Sequence, residues 1–210
     1  MKYGETIFDI LYLLTAILIG LIILIKHKNK KELLIGLAIL ILGVGDSFHL
    51  IPRILNYFID YDFTMYLGIG KLITSITMTI FYLLMYHILL KSIDIKENKH
   101  LTKGLIEFVI LRIILCLSIE NNWLTNNSPL LWQIIRNIPF IIIGYILIRL
   151  YYKHRYIDNY KYIWLYMTLS FIFYIPVVIG ANTYPILGML MLPKTICYVL
   201  IIKDLYKSTK

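Results

Sequence analysis

Seven apolar stretches, at about 7–25, 33–55, 63–90, 101–119, 130–151, 160–180 and 184–202, run through the chain with only short polar links between them. Each approaches or exceeds the roughly 20 residues that a helix needs to cross a hydrocarbon core about 30 Å thick. The third is long enough to tilt or to extend past the bilayer. Strands are excluded, because runs this long show no period-two alternation and lipid tolerates only helices or closed barrels. The first stretch follows Lys2 as a signal peptide would. Glu5 and Asp9 interrupt that pattern and no small-residue cleavage site follows, so it is read as a mature helix. The expected fold is an all-α integral membrane protein: one polytopic domain over residues 1–210, built as a seven-transmembrane-helix bundle.

Composition agrees with that reading and narrows function. The chain is 60% hydrophobic and 16% charged, whereas soluble domains are about 45–50% apolar and about 25% charged. A disordered chain, a coiled coil and an ordinary water-soluble enzyme are thereby excluded. The net charge of +9 then serves topology, and no nucleic-acid partner is expected. Fifteen of the 21 basic residues fall on alternate links and the tail: Lys26–Lys31, then Lys91, Lys96, Lys99 and Lys103, then Arg149–Lys161, then Lys203, Lys207 and Lys210. The other links and the N-terminus carry only Lys2. The positive-inside bias places the N-terminus outside and the C-terminus in the cytoplasm, in the plasma membrane. Cys116 and Cys197 both lie in apolar runs, so neither a disulfide nor a thiolate metal site is expected. No cofactor motif is present; Gly68-Ile-Gly70 has no strand before it and reads as helix-packing glycine.

Five basic residues remain inside the apolar stretches: Arg53, Lys71, Arg112, Arg136 and Lys194, with Asp9, Asp46 and Glu107 as the acids. An ionisable group at a helix centre costs roughly 2.5–3.5 kcal/mol, so such groups face a protein interior or an aqueous cavity. At about 100° per residue, Asp46, His49 and Arg53 share one stripe of the second stretch. There Asp46 can orient His49, the arrangement of acid–base catalysis. The alternative is a buried Asp–Arg or Asp–Lys clamp between helices. Two ligands at i, i+3 make no metal site. Pro52 is expected to kink the second helix or end it early. Lys71, Thr74, Ser75, Met78 and Tyr82 lie on one face of the third stretch, where Lys71 either lines a cavity or snorkels outward. Gln133, Arg136 and Asn137 form a single-faced patch on the fifth. Lys194 lies about ten residues from either end of the seventh, too deep to snorkel easily. Arg112 is also near mid-membrane, but Glu107 is on a different face, and no site role is assigned to it. The Tyr and Trp residues suit the interfacial belts.

By depth, Asp46, His49, Arg53, Lys71, Gln133, Arg136 and Asn137 fall in the outer half, with Lys194 at its floor. One outward-opening polar pocket is therefore expected, with two or three more positive than negative charges. An unpaired buried charge is expensive, so the surplus implies an anionic partner: a small anion, or an anionic amphiphile held by its headgroup. Binding or transport follows, with Arg53, Lys71, Gln133, Arg136, Asn137 and Lys194 holding the ligand and Asp46 and His49 available for proton coupling. The alternative is an intramembrane lipid hydrolase in which Asp46 and His49 are catalytic. Gly45-Asp46 resembles the membrane lysoplasmalogenases over those few residues, but the other acidic positions of that group have no match, and no function is carried over. A third reading is a seven-helix sensor. A mid-helix lysine such as Lys194 in the seventh segment is similar to retinal proteins, although the third stretch offers no acidic counter-ion. The oligomeric state has no signature in the sequence.

Overall fold

The computed structural model describes residues 2–93, 98–181 and 183–210; Lys96 and Asn182, which belong to the expected links, lie outside them. Seven α-helices make up nearly all of it: α1 Lys2–Lys26, α2 Lys30–Phe58, α3 Thr64–Ile93, α4 Lys99–Leu117, α5 Leu130–Lys153, α6 Ile163–Gly180 and α7 Met191–Lys207. No strand occurs among the described residues. Six helical segments are long and apolar enough to cross a membrane, the last running from Ile186 to Lys207. The helix without that composition is α4, which carries Lys99, Lys103, Glu107 and Arg112 in 19 residues.

Helix starts follow local chemistry. The Asn29 side chain accepts from the Glu32 N–H at 2.9 Å, and the Glu32 carboxylate takes the Lys28 N–H at 2.7 Å. The first bond satisfies an N–H that the first turn of α2 leaves unpaired, and the second ties the residue before the cap to the same turn. Asn98 caps α4 likewise, through the N–H groups of His100 and Leu101. Pro52 neither stops α2 nor shortens it: the helix continues to Phe58.

The seventh stretch departs from expectation. Residues Pro185–Leu190 form a 3-10 helix and α7 begins only at Met191. Pro193 therefore sits in the first turn of α7, where its missing N–H costs little. Lys194 follows it, just past the junction at which the 3-10 turns run into α7.

Each helix packs on its successor, and α7 returns to α1 and α2, closing the bundle; α3 also touches α5. The buried face of α3 includes Met78, Phe81, Tyr82, Met85, Tyr86, Ile88 and Leu89, making it the central helix. Outward faces remain apolar, as with Leu11, Leu14 and Leu18 on α1 and Ile110, Ile114 and Leu117 on α4. Several tyrosines expected in interfacial belts are core residues instead: Tyr12, Tyr82, Tyr86, Tyr151, Tyr160 and Tyr198 are buried. Their hydroxyls find partners, Tyr86 with Thr102 at 2.7 Å and Tyr151 with the Met85 carbonyl at 2.9 Å, which removes the desolvation cost of burying them.

The α2–α3 contact depends on Gly70. A methyl group there would overlap the Phe48 carbonyl, which is rigid backbone. Gly70→Ala is expected to force the helices apart and destabilise the bundle by about 1–3 kcal/mol, the usual range for overpacking. Thermal unfolding in detergent checks this; an unchanged midpoint would mean that α2 and α3 are not held at this distance.

Candidate functional site

Between α4 and α5 the chain folds back over the end of α3 in two 3-10 turns, Ile119–Asn121 and Trp123–Thr125. Asn122 and Asn126 take left-handed backbone conformations, with φ of 49° and 54°, which asparagine tolerates better than most residues. Gly68 lies against the Trp123 carbonyl, leaving no room for a side chain. The loop is thereby seated on α3, and it presents three polar groups to the bundle. Lys71 donates to Asn126 Oδ1 at 2.6 Å. Arg136 donates to Asn121 Oδ1 at 2.6 Å and to Ser128 Oγ at 3.0 Å, and its guanidinium lies 4.3 Å from the Trp123 ring centroid.

Beneath this loop is a cavity of about 170 Å³ reached by side chains from six of the seven helices. Four cations line it: Lys71 from α3, Arg112 from α4, Arg136 from α5 and Lys194 from α7. His49, Gln133 and Asn137 also line it, and Met78, Phe140, Val177 and Val178 supply apolar wall. No carboxylate is among the lining residues. The two ion pairs among the described residues are Arg53–Glu5 and Lys103–Glu107, so none of the four cavity cations has one.

Arg112, which the sequence reading left without a role, is the most enclosed of the four at 2% exposure. Its Nη1 donates to Asn137 Oδ1 at 3.2 Å and to the Arg136 carbonyl at 3.3 Å. Its guanidinium packs 3.8 Å from the Phe140 ring centroid, while Nε has no partner. Neutral dipoles and a ring face thus hold this charge, and they do not neutralise it. Asn137 is itself fixed, donating to the Gln133 carbonyl at 2.7 Å and accepting from Tyr174 at 2.8 Å. Lys194 lies 4.9 Å from the Tyr174 ring and 5.4 Å from the Tyr198 ring, an aromatic cradle of the kind that holds cations.

The structure brings six of the eight expected site residues to this cavity: His49, Lys71, Gln133, Arg136, Asn137 and Lys194. Arg53 and Asp46 line a smaller neighbouring one instead. Arg53 is ion-paired to Glu5 of α1 and bonded to Tyr57, so it does clamp two helices, but through Glu5 and not through an aspartate as the alternative for this stripe had it. Asp46 accepts from Tyr12 of α1 at 2.6 Å. His49 Nδ1 is buried without a partner, so no Asp46–His49 hydrogen bond forms through that nitrogen. A shared helical stripe placed the two residues on one face, but the carboxylate turned toward the helix packed beside it.

Comparison of the chain with protein-family models, curated proteins and solved structures finds no match. The functional reading therefore rests on the cavity.

Proposed function

We propose that this protein is a seven-span membrane protein that binds, and moves across the bilayer, a small anion or the headgroup of an anionic amphiphile. The N-terminus is outside, the C-terminus is cytoplasmic and the membrane is the plasma membrane. The observation that carries the reading is the set of four cations around one cavity with no carboxylate among its lining residues. Arg112 is the buried one of the four, Arg136 and Lys194 are half-buried and Lys71 is exposed at the cavity rim. Part of the several kcal/mol that burying an ion costs is recovered when an anion completes the charge set. Support for α4 as the seventh span comes from its apolar outer face and from its packing between α3 and α5. The cavity belongs to the end of the bundle that carries the α2–α3, α4–α5 and α6–α7 links, the end poor in basic link residues. By the positive-inside bias that end is external.

Size and lining narrow the ligand. At about 170 Å³ the cavity is smaller than the roughly 300–1,000 Å³ of drug-sized pockets, which argues for a compact anion with a small apolar part. The hydrolase reading loses the orienting role of Asp46, whose hydrogen bond goes to Tyr12.

The test is the thermal stability of the purified protein in detergent with inorganic phosphate, benzenesulfonate or lysophosphatidate. At about a hundredfold excess over Kd, a specific anion adds about 2.7 kcal/mol of stability. Benzenesulfonate is expected to give the largest shift per unit concentration. A larger shift with lysophosphatidate would assign the cavity to a lipid headgroup. No shift with any of the three would sink the anion reading.

A further inference from the structure

Beside the anion cavity, and sharing His49, Thr74, Met191 and Lys194 with it, is a second cavity of about 40 Å³. Its chemistry is the opposite. Three carboxylates line it, Glu5 and Asp9 from α1 and Asp46 from α2, against two cations, Arg53 and Lys194. Glu5 is already matched by Arg53. Asp9 and Asp46 are left to share Lys194, which also faces the anion cavity. The protein's own charges are therefore one positive charge short on this side.

Asp9 is where the shortage falls. It is only 4% exposed, and its Oδ2 has no hydrogen-bond partner. One turn earlier on α1, Thr6 is 9% exposed and its hydroxyl also has no partner. Buried polar atoms in native structures are nearly always paired, and an unpaired one marks strain, an unseen water or an ion. For a carboxylate the penalty is larger still, and it is removed by a proton or a metal ion. A space of about 40 Å³ exceeds the roughly 10–15 Å³ that one water requires, so a single small cation fits.

We infer that the second cavity binds one monovalent cation, a proton or Na⁺, at Asp9 and Asp46, and that this binding is coupled to the anion cavity through Lys194. This rests on the anion reading above and extends it to cation-coupled anion binding. With the cation absent, Lys194 is the one unpaired cation lining the cavity with the two aspartates and is attracted to them across it, without a direct ion pair. With the cation present, either an O–H bond forms on a carboxylate oxygen, the proton coming from a hydronium ion of the external solution that is left as water, or Na⁺ sits among the oxygens. Lys194 is then released toward the anion. The titratable and charged groups around the site are Glu5, Asp9 and Tyr12 on α1, Asp46, His49 and Arg53 on α2, and Lys194 on α7. His49 is the competing proton acceptor, and the variants below separate it from Asp9.

The experiment measures the Kd of benzenesulfonate, whose own charge does not change near neutrality, for the purified full-length protein in detergent. One arm varies pH with choline as the only added cation; the other replaces choline by sodium at alkaline pH and constant ionic strength. Coupling free energies between sites are commonly worth 5- to 150-fold in affinity. An increase in affinity of about tenfold is expected on acidification or on adding sodium, and the responding arm identifies the cation. Asp9→Asn, which mimics the neutralised carboxylate, is expected to hold the high affinity in both arms. Asp9→Glu is expected to restore the dependence, which excludes a folding defect as the cause. Affinity that ignores both cations would overturn the coupling and leave the anion reading standing. Full pH dependence in Asp9→Asn with loss in His49→Gln would overturn it too. No binding of benzenesulfonate under any condition would remove both readings.

Discussion

Arg112→Met is expected to lower anion affinity by about 100-fold without lowering the stability of the unliganded protein. Charge-assisted hydrogen bonds are worth about 1.5–3 kcal/mol each, and 1.4 kcal/mol is tenfold in affinity. Loss of one or two such bonds from the guanidinium thus reaches the stated range. Stability moves differently because Arg112 is not a satisfied structural charge. It is 2% exposed, it has no carboxylate partner, and its Nε is unpaired. Replacing buried ionic groups by apolar ones of similar volume is often neutral or stabilising by about 1–4 kcal/mol, and methionine adapts to irregular space beside Phe140. The variant does leave Asn137 Oδ1 with Tyr174 as its remaining partner, a smaller loss. Thermal unfolding with and without benzenesulfonate separates the two effects. A marked drop in the unliganded midpoint, with affinity retained, would make Arg112 a structural pin and remove it from the site.

Helix identity was legible because crossing a bilayer demands length and apolarity together, and both are written locally in the chain. Six segments carry that signature without ambiguity. What lay beyond local reading was the first half of the seventh stretch. Its composition is apolar, yet Pro185–Leu190 is a 3-10 helix and α7 starts at Met191. Hydropathy does not distinguish these geometries, since neither changes which atoms are apolar. The tyrosines misled for a related reason. An amphipathic ring suits a membrane interface, but it equally suits a core in which its hydroxyl meets Thr102 or a backbone carbonyl, as Tyr86 and Tyr151 do.

The cavity was legible to the extent that depth alone determines neighbours. Lys71, Gln133, Arg136, Asn137 and Lys194 lie at similar depth on helices that meet, and they line one space. Arg53 and Asp46 have similar depth as well, but a partner on α1 diverts each: Glu5 for the first, Tyr12 for the second. Pairing of that kind depends on which helix is adjacent, and the sequence of one helix does not carry it. Arg112 carries no local mark of its place, because the acid nearest to it on its own helix, Glu107, lies on a different face. The relevant geometry is the antiparallel α4–α5 pair, which sets Arg112 against Arg136 and Asn137 across a short link. A mid-span cation with no acid on its own face, one hairpin away from a polar Arg-Asn pair, was the available signal.

Supplying the cavity with its own countercharge is the sharper test, because it alters charge while nearly preserving shape. Asn137→Asp is expected to weaken anion binding by about 100-fold, as strongly as removing Arg112. The Asn137 Oδ1 already accepts from Arg112 Nη1 at 3.2 Å and from the Tyr174 hydroxyl at 2.8 Å, so a carboxylate in its place inherits both donors. Arg112 then has an internal anion, and an incoming ligand must compete with it. Two like charges about 4 Å apart repel by about 4 kcal/mol at an effective dielectric of 20, of which only part is needed for a hundredfold loss. The substitution also removes the Nδ2 donor to the Gln133 carbonyl, and Asn137→Leu controls for that. Leucine deletes the same donor without adding charge, and leaves Arg112 with less polar support. The leucine variant is therefore expected to be less stable without ligand yet more strongly stabilised by benzenesulfonate, while the aspartate variant gains nothing from it. Equal anion responses in the two variants would show that the charge at position 137 does not reach the ligand. The four cations would then be separate clamps and snorkels around an empty space.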